Sequence, residues 1–258
     1  MAPFGKRQGS KRHRSPKGPF RKPFETQTPD FQRTLVIFAK APIPGQVKTR
    51  LCPPLTPDEA ATLHGSMVMD TIERSRALRD VTRVLACTPT HTHPFFQALG
   101  ARHPIVLWDQ VGDDLGARLH HAVQTACDRG ARSVILVGTD LPTFQTSLAT
   151  EALKMLAQYD LVIGPTLDGG YYLLALKTPA PSLFSQIPWS TDQVRAWTEQ
   201  AARELGFSIG MLPMQRDLDT IDDLHAFIEE LHAQQASGIS TRTARVLTTL
   251  AARLLNRE

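Results

Sequence analysis

The sequence predicts an α/β protein in which helices cover both faces of one doubly wound, mostly parallel β-sheet. From residue 34 onward, short aliphatic and β-branched runs alternate with amphipathic segments of helical spacing, the pattern that produces a parallel sheet. One of these runs, 133–137, is almost wholly aliphatic, which is typical of a strand buried on both faces. With 258 residues, the chain is long enough for one large domain or two small ones with a substantial core.

The elements in the first half of the chain have recognisable ends. The first apolar run, 35–39, stops at a loop that contains Pro42, Pro44 and Gly45. The segment 56–59 reads Thr-Pro-Asp-Glu, a capping box with proline at the first helical position. The predicted elements are therefore strand 35–39, helix 56–79, strand 81–87, a helical turn at 94–99, strand 104–108, helix 113–129 and strand 133–137.

The second half continues the alternation, and turn residues mark its boundaries. An Asp-Gly-Gly turn at 168–170 separates two apolar runs, and Thr-Ile-Asp-Asp at 220–223 is typical of a helix start. Gly238 interrupts the pattern before a last basic, amphipathic segment. The predicted elements are helix 146–158, strands 161–164 and 171–176, helix 190–205, strand 208–212, helix 220–233 and a final helix that ends near residue 256.

The N-terminus differs in composition from the rest of the chain. Residues 1–33 contain nine Lys/Arg and two acidic residues, which leaves 20 basic and 23 acidic residues for the remainder. Because this segment has almost no aliphatic residues, it cannot bury enough surface to fold by itself. We predict a disordered basic tail at 1–32, one domain at 33–236 and a C-terminal helical extension at 237–258. Only the tail is basic enough to suggest contact with nucleic acid or an acidic partner.

Composition also excludes several classes of protein. No apolar run approaches the roughly 18 residues of a membrane span, and no apolar segment of a signal peptide follows the positive start. Cys52, Cys87 and Cys127 are isolated and form no C-x-x-C pair, which argues against a disulfide framework or a zinc site. The sequence therefore predicts a cytoplasmic protein without a membrane span. It leaves the oligomeric state open.

The loop after the first strand has the composition of a phosphate-binding site. It presents Lys40, Lys48, Thr49 and Arg50 around Gly45, and ligands of open α/β sheets bind at the carboxyl ends of the strands. Three cations and a hydroxyl are suited to phosphate groups, although a merely solvent-facing basic loop is the alternative. The loop is not a P-loop, because residues other than glycine stand at both positions where that motif requires one.

An acidic residue is predicted at the same edge of the sheet. Asp140 lies three residues after the end of the strand at 133–137. A carboxylate that faces a phosphate repels it unless a divalent cation lies between them, and Mg²⁺ is commonly held by one or two carboxylates plus phosphates and water. The alternative is that Asp140 caps the next turn.

Three further groups give weaker signals. Asp168, Gly169 and Gly170 allow close approach of a ligand, although a plain hairpin turn has the same residues. Asp114 and Arg118 stand one helical turn apart, which a surface ion pair explains equally well. The aspartates at 217 and 219 precede a predicted helix. Either of them is a candidate second metal ligand, and the alternative is that they cap the helix.

Taken together, these segments resemble a bacterial glycosyltransferase-A-like family of the nucleotide-diphospho-sugar transferase superfamily, long described only as a domain of unknown function. The resemblance covers about residues 34–230. The matching segments are 38–51, Gln110 with 114–118, 138–142, 164–172, 189–191 and 217–220.

The resemblance implies a three-layer α/β/α sandwich with the glycosyltransferase-A-like fold and a nucleotide-sugar site. Lys48 and Arg50 would contact phosphates, Asp140 would bind Mg²⁺ or Mn²⁺, and Asp168 would contact the acceptor or sugar as candidate catalytic base. The usual Asp-x-Asp metal motif of this fold reads Gly-Thr-Asp at 138–140 in this chain. A second metal ligand must then come from elsewhere, and Asp219 is the candidate.

The leading hypothesis is therefore a glycosyltransferase that uses a nucleotide-diphosphate sugar. The alternative is a nucleotidyltransferase that makes a nucleotide-diphosphate compound from a nucleoside triphosphate and releases pyrophosphate. The same fold and the same phosphate loop would serve both reactions. A third hypothesis, from another class, is a non-catalytic nucleotide-binding or nucleic-acid-associated protein that acts through its basic tail.

Overall fold

The computed structural model describes residues 29–233 and 238–255, together with Met1. Most of the predicted basic tail, residues 2–28, therefore lies outside the described residues. The described residues form seven strands and seven α-helices that alternate along most of the chain. Among these helices, none combines the length and the apolar character that crossing a membrane requires.

The seven strands form a single sheet in the order β3-β2-β1-β4-β6-β5-β7. All neighbouring strands are parallel except for β6, which runs antiparallel to both β4 and β5. The connection from β5 to β6 is only five residues long, too short for the crossover that a parallel pair needs. The strands are β1 Arg33–Lys40, β2 Thr82–Thr88, β3 Val106–Asp109, β4 Ser133–Val137, β5 Leu161–Pro165, β6 Tyr171–Leu176 and β7 Ile209–Met211.

Helices cover both faces of this sheet, which confirms the predicted three-layer α/β/α architecture. On β1, Leu35 and Ile37 face a core shared with α1, α2 and α4, whereas Val36 faces a core shared with α3 and α5. This alternation follows from the two-residue period of a strand. The helices are α1 Pro57–Ser75, α2 Pro94–Arg102, α3 Leu115–Asp128, α4 Thr146–Met155, α5 Val194–Glu204, α6 Ile221–His232 and α7 Thr241–Leu255.

Local sequence signals determine where several helices begin. Thr56 and Thr220 both form capping boxes with the residue three positions later, and thus fix the starts of α1 and α6. The prediction that a helix begins at residue 190 is wrong, because α5 begins at Val194. Ser190 has a φ of 67°, a left-handed conformation that a right-handed helix cannot contain.

The C-terminal helix α7 packs against α1 and α6 in a third apolar cluster, to which it contributes Leu247 and Leu250. Its start is held by the buried carboxylate of Asp70 on α1. Asp70 accepts hydrogen bonds from the backbone N–H and the hydroxyl of Thr243 at 3.1 and 2.5 Å, and it forms an ion pair with Arg242.

Candidate active site

The loop after β1 carries one lysine with an unusual backbone conformation. Lys48 has a φ of 49° and a ψ of 36°, in the left-handed region where residues other than glycine are strained by on the order of 1 kcal/mol or more. This conformation precedes the 3₁₀ turn Thr49–Leu51. The Lys48 side chain points into the protein and is only 3% exposed.

Three oxygen atoms surround the ammonium group of Lys48. Its Nζ lies 2.5 Å from Oδ1 of Asp140, 2.8 Å from Oδ1 of Asp219 and 2.6 Å from the carbonyl oxygen of Leu218. Asp140 follows β4, the parallel neighbour of β1, and Asp219 precedes α6. The backbone N–H of Leu218 donates to the carbonyl of Asp140 at 2.9 Å, so the two acidic segments are also joined directly.

The geometry keeps Lys48 and Asp140 charged. Burial alone would lower the pKa of Lys48, but Asp140 and Asp219 outweigh it and hold that pKa above its ordinary value. Desolvation would likewise raise the pKa of Asp140, but the charge and hydrogen bond of Lys48, together with the charges of His64 and Lys40, outweigh it, and the pKa falls below its ordinary value. The pair is therefore an ion pair at neutral pH.

A cleft of about 460 Å³ opens beside this ion pair at the carboxyl edge of β1 and β4. The cleft brings together two groups of residues predicted from the sequence: the cations of the first loop and the candidate metal ligands Asp140 and Asp219. Arg50 is 69% exposed and lies 4.0 Å from Oδ2 of Asp219, so most of its guanidinium donors face solvent. The predicted residues that line the cleft are Lys40, Lys48, Thr49, Arg50, Asp140 and Asp219.

The Asp-Gly-Gly turn before β6 does not contribute to this lining. Oδ1 of Asp168 accepts hydrogen bonds from the hydroxyl of Thr166 at 2.5 Å and from the N–H of Gly170 at 3.0 Å. Gly169 has a φ of 88°, and a Cβ there would lie 2.0 Å from the carbonyl oxygen of Asp192. The close approach expected of a ligand at this glycine is thus made by the protein's own backbone.

The remaining predicted residues also have local roles. Asp114 caps α3 by accepting from the N–H of Ala117 at 2.7 Å, and Arg118 donates through Nε to the carbonyl oxygen of Gly112 at 2.9 Å. Gly45 has a φ of 78° with open space around it. Among the described residues, none of these three lines the cleft.

Among the cleft residues that were not predicted as site residues are His64 and Gln110. His64 lies within α1, and its Nε2 is 3.1 Å from the carbonyl oxygen of Lys40; burial lowers its pKa. Gln110 follows β3, and its amide nitrogen donates to the carbonyl oxygens of Ala39 and Ala86 at 3.3 and 2.8 Å. Only the family resemblance pointed to Gln110, and no motif marked His64.

The orientation of the Gln110 amide is determined by these partners. Two carbonyl oxygens can only accept hydrogen bonds, so the nitrogen must face them. The amide oxygen then remains as an acceptor in a residue that lines the cleft. The lining of the cleft therefore includes cations, carboxylates and Gln110, whose amide nitrogen is held by two carbonyl oxygens.

Asp140 and Asp219 suit a divalent cation by their chemistry. Both place a carboxylate oxygen within 2.8 Å of one point, the position of Lys48 Nζ, and oxygen ligands are those that Mg²⁺ and Mn²⁺ prefer. The described residues contain no group of three or more His, Cys, Asp or Glu that could hold a metal. A cation at these two acids would complete its coordination with substrate phosphates and water.

Comparisons with known proteins show which proteins the chain resembles. A family of uncharacterised proteins conserved in bacteria, DUF2064, matches residues 71–191. The chain is 29% identical over 196 residues to 2-phospho-L-lactate guanylyltransferase from Methanothermobacter thermautotrophicus, and the match covers 73% of this chain and 82% of that protein.

Solved structures with the same fold include one of substantial sequence similarity. A protein from Desulfovibrio desulfuricans G20, provisionally named a nucleotide-diphospho-sugar transferase, is 31% identical, with a TM-score of 0.78 over 86% of this chain and 96% of that chain. CMP:2-keto-3-deoxy-manno-octonic acid synthetase complexed with CTP has a TM-score of 0.50 at 14% identity, covering 79% of this chain and 99% of that one. This second likeness concerns the fold alone.

Proposed function

Since the chain belongs to the same family as the Desulfovibrio desulfuricans protein, we propose that it is a nucleotidyltransferase of the nucleotide-diphospho-sugar transferase fold. It would move a nucleoside monophosphate from a nucleoside triphosphate to an acceptor that carries a phosphate group, and release pyrophosphate. The similarity to a guanylyltransferase supports this reaction over the glycosyl transfer that the sequence analysis placed first. It also makes GTP the first triphosphate to test.

One observation carries the proposal: Lys48, Arg50, Asp140 and Asp219 converge beside one cleft at the carboxyl edge of the sheet. Transfer of a phosphoryl or nucleotidyl group depends mainly on positioning and on stabilising charge at the phosphate oxygens. The basic loop after β1 and the two carboxylates beside it are suited to bind a complex of a triphosphate and a divalent ion.

Nucleotidyl transfer to a phosphate group does not require a general base from the protein. A phosphate oxygen of the acceptor attacks the α-phosphorus, the bond from that phosphorus to the oxygen bridging to the β-phosphate breaks, and pyrophosphate leaves with the electron pair. The acceptor phosphate is largely ionised at neutral pH, so no general base is needed. Glycosyl transfer to a hydroxyl would need one, and one oxygen of Asp168, the candidate base, is bound within its own turn.

The residues of the cleft then take distinct roles. Arg50, with its exposed guanidinium, would bind the triphosphate, and Lys40 and Thr49 would line its path. Asp140 and Asp219 would hold a divalent ion, which when bound supplies positive charge to the phosphate oxygens. Lys48 has its three N–H groups directed at protein oxygens. Its predicted contact with phosphate therefore requires the side chain to leave these partners.

A second candidate, transfer of a sugar from a nucleotide-diphosphate sugar, is favoured by the name of the Desulfovibrio desulfuricans protein. A ligand panel distinguishes the two. With Mg²⁺ present, GTP at 100 times its dissociation constant should stabilise the protein by about 2.7 kcal/mol, observed as a rise in Tm. Stabilisation by nucleotide-diphosphate sugars alone, with no effect of any triphosphate, would reject nucleotidyl transfer.

A further inference from the structure

The ammonium group of Lys48 occupies the point at which Asp140 and Asp219 would jointly hold a cation. Its Nζ has three oxygen neighbours, two from carboxylates and one from the carbonyl of Leu218, at 2.5 to 2.8 Å. These are the hard oxygen ligands that a divalent cation prefers. An ammonium and a metal ion cannot both occupy this position, so each excludes the other.

The charge balance explains why a cation belongs there in the ligand-free protein. Two carboxylates this close together repel each other unless a positive charge lies between them. Lys48 provides that charge from within the chain. The acids are consequently held together before any metal ion or nucleotide arrives.

The surroundings allow an incoming ion to reach both acids. The side chains of Asp140 and Asp219 are 48% and 37% exposed, whereas that of Lys48 is 3% exposed. The carboxylates therefore keep solvent-accessible surface beside the cleft, whereas the ammonium between them is almost fully covered. The side chain of lysine is flexible. The backbone of Lys48 is in a strained left-handed conformation, and relief of this strain would favour movement of the residue away from the two acids.

We propose that Lys48 is a positioning residue that occupies the cation site of the ligand-free protein and exchanges with a divalent ion when the nucleotide binds. This inference builds on the proposed function, which supplies the nucleotide. A metal ion alone must displace the ammonium and therefore binds weakly. A metal ion that arrives with a triphosphate brings additional oxygen ligands, and the displaced ammonium gains phosphate oxygens as new partners.

The affinity for Mn²⁺ in the absence of nucleotide tests this exchange. It is measured from the electron paramagnetic resonance signal of the free ion, which decreases as the ion binds. Lys48→Met removes the competing ammonium and should bind Mn²⁺ at least about tenfold more tightly than the native protein. Arg50→Met is the matched control, because it removes a cation near Asp219 that does not bridge the two acids. It should change the affinity less than about threefold. Equal affinity of Lys48→Met and the native protein, or weaker binding by the variant, would overturn the proposal.

A second measurement uses the native protein and does not depend on the folding of a variant. Reductive methylation of lysines, read by mass spectrometry, should be slow at Lys48 without metal and several-fold faster at a Mn²⁺ concentration that the resonance titration shows to saturate the native protein. Lys154, exposed and distant on α4, serves as the internal reference. An unchanged rate at Lys48 would contradict the exchange. Neither assay contains nucleotide, so a failed nucleotidyl transfer and a failed exchange remain distinguishable.

Discussion

The Nζ atom of Lys48 lies 2.5 Å from Oδ1 of Asp140. This contact joins the loop after β1 to the end of β4, the parallel strand beside it. The cationic loop and the acid expected to face it therefore meet at one edge of the sheet. Lys48 therefore forms an ion pair with Asp140 within the protein, in addition to the contact with a ligand that the sequence predicts.

The first prediction concerns Asp140. Asp140→Asn should lower the rate of pyrophosphate release from a nucleoside triphosphate by about 100-fold or more, because a neutral amide is a poor ligand for a divalent ion. The rate is measured at saturating Mg²⁺, and circular dichroism reports whether the fold is retained. The control is Asp128→Asn, at an exposed position at the C-terminal end of α3, which should leave the rate unchanged. An unaltered rate in Asp140→Asn would remove the metal assignment.

The second prediction concerns Arg50. Arg50→Ala should raise KM for the triphosphate by about tenfold, since a charge-assisted hydrogen bond contributes about 1.5–3 kcal/mol. Its Tm should stay near that of the native protein, because the side chain is largely exposed. Arg203→Ala, an equally charge-changing substitution on α5, serves as the control. If KM were the same in both variants, Arg50 would not be a phosphate ligand.

The third prediction concerns recognition of the base through Gln110. Its amide oxygen is an acceptor because its nitrogen is held by the carbonyl oxygens of Ala39 and Ala86. Gln110→Met keeps the length of the side chain but removes this acceptor, and should reduce the preference for one base by about tenfold. The measurement is the ratio of kcat/KM for the preferred and the other triphosphates. Equal losses for all of them would assign Gln110 a purely structural role.

The fourth prediction follows from the protonation of Asp217. Burial, together with nearby Asp168 and Asp219, raises the pKa of Asp217 to about 7. Because the folded-state pKa exceeds the unfolded value of about 3.9, this carboxyl stabilises the fold fully below pH 4, and the contribution is lost as the pH rises through 7.

Asp217→Asn lacks this titration. Urea unfolding at a series of pH values should show the native protein losing stability relative to the variant between pH 4 and 7, by on the order of 1–2 kcal/mol after allowance for partial exposure. Asp222→Asn, at an exposed position of α6, is the control for the change of charge alone. A constant difference for Asp217→Asn would contradict the raised pKa.

The fifth prediction tests the attachment of α7. Asp70→Asn should destabilise the protein by about 3 kcal/mol, because it removes a buried charge that pairs with Arg242 and accepts from Thr243. Glu73→Gln is the matched control: Glu73 also contacts Arg242, at 2.7 Å, but is half-exposed, and its loss should cost less than about 1 kcal/mol. Equal effects of the two substitutions in urea unfolding would show that burial of Asp70 is unimportant.

Much of the fold could be predicted because its determinants are local. The aliphatic runs of β1 and β4 and the capping boxes of α1 and α6 depend on residues that are close in sequence. The start of α5 could not be predicted, since a serine gives no signal for the left-handed conformation that Ser190 adopts.

The site was predictable only in outline. The rule that ligands bind at the carboxyl ends of parallel strands brought Lys48 and Asp140 together. It could not show that Leu218 and Asp219, from a loop far along the chain, complete the surroundings of the ammonium. The orientation of Gln110 likewise depends on backbone carbonyls of two other strands, and these contacts exist only after folding.

Phosphorus-31 NMR of the purified protein with GTP, Mg²⁺ and a panel of phosphorylated hydroxy acids tests the central claim most directly. Nucleotidyl transfer predicts two simultaneous products in equal amounts, pyrophosphate and a compound in which the α-phosphate of GTP is joined to the acceptor phosphate. The same sample with Asp140→Asn should show neither product. Release of a nucleoside diphosphate from a nucleotide-diphosphate sugar, with every triphosphate left intact, would contradict the account.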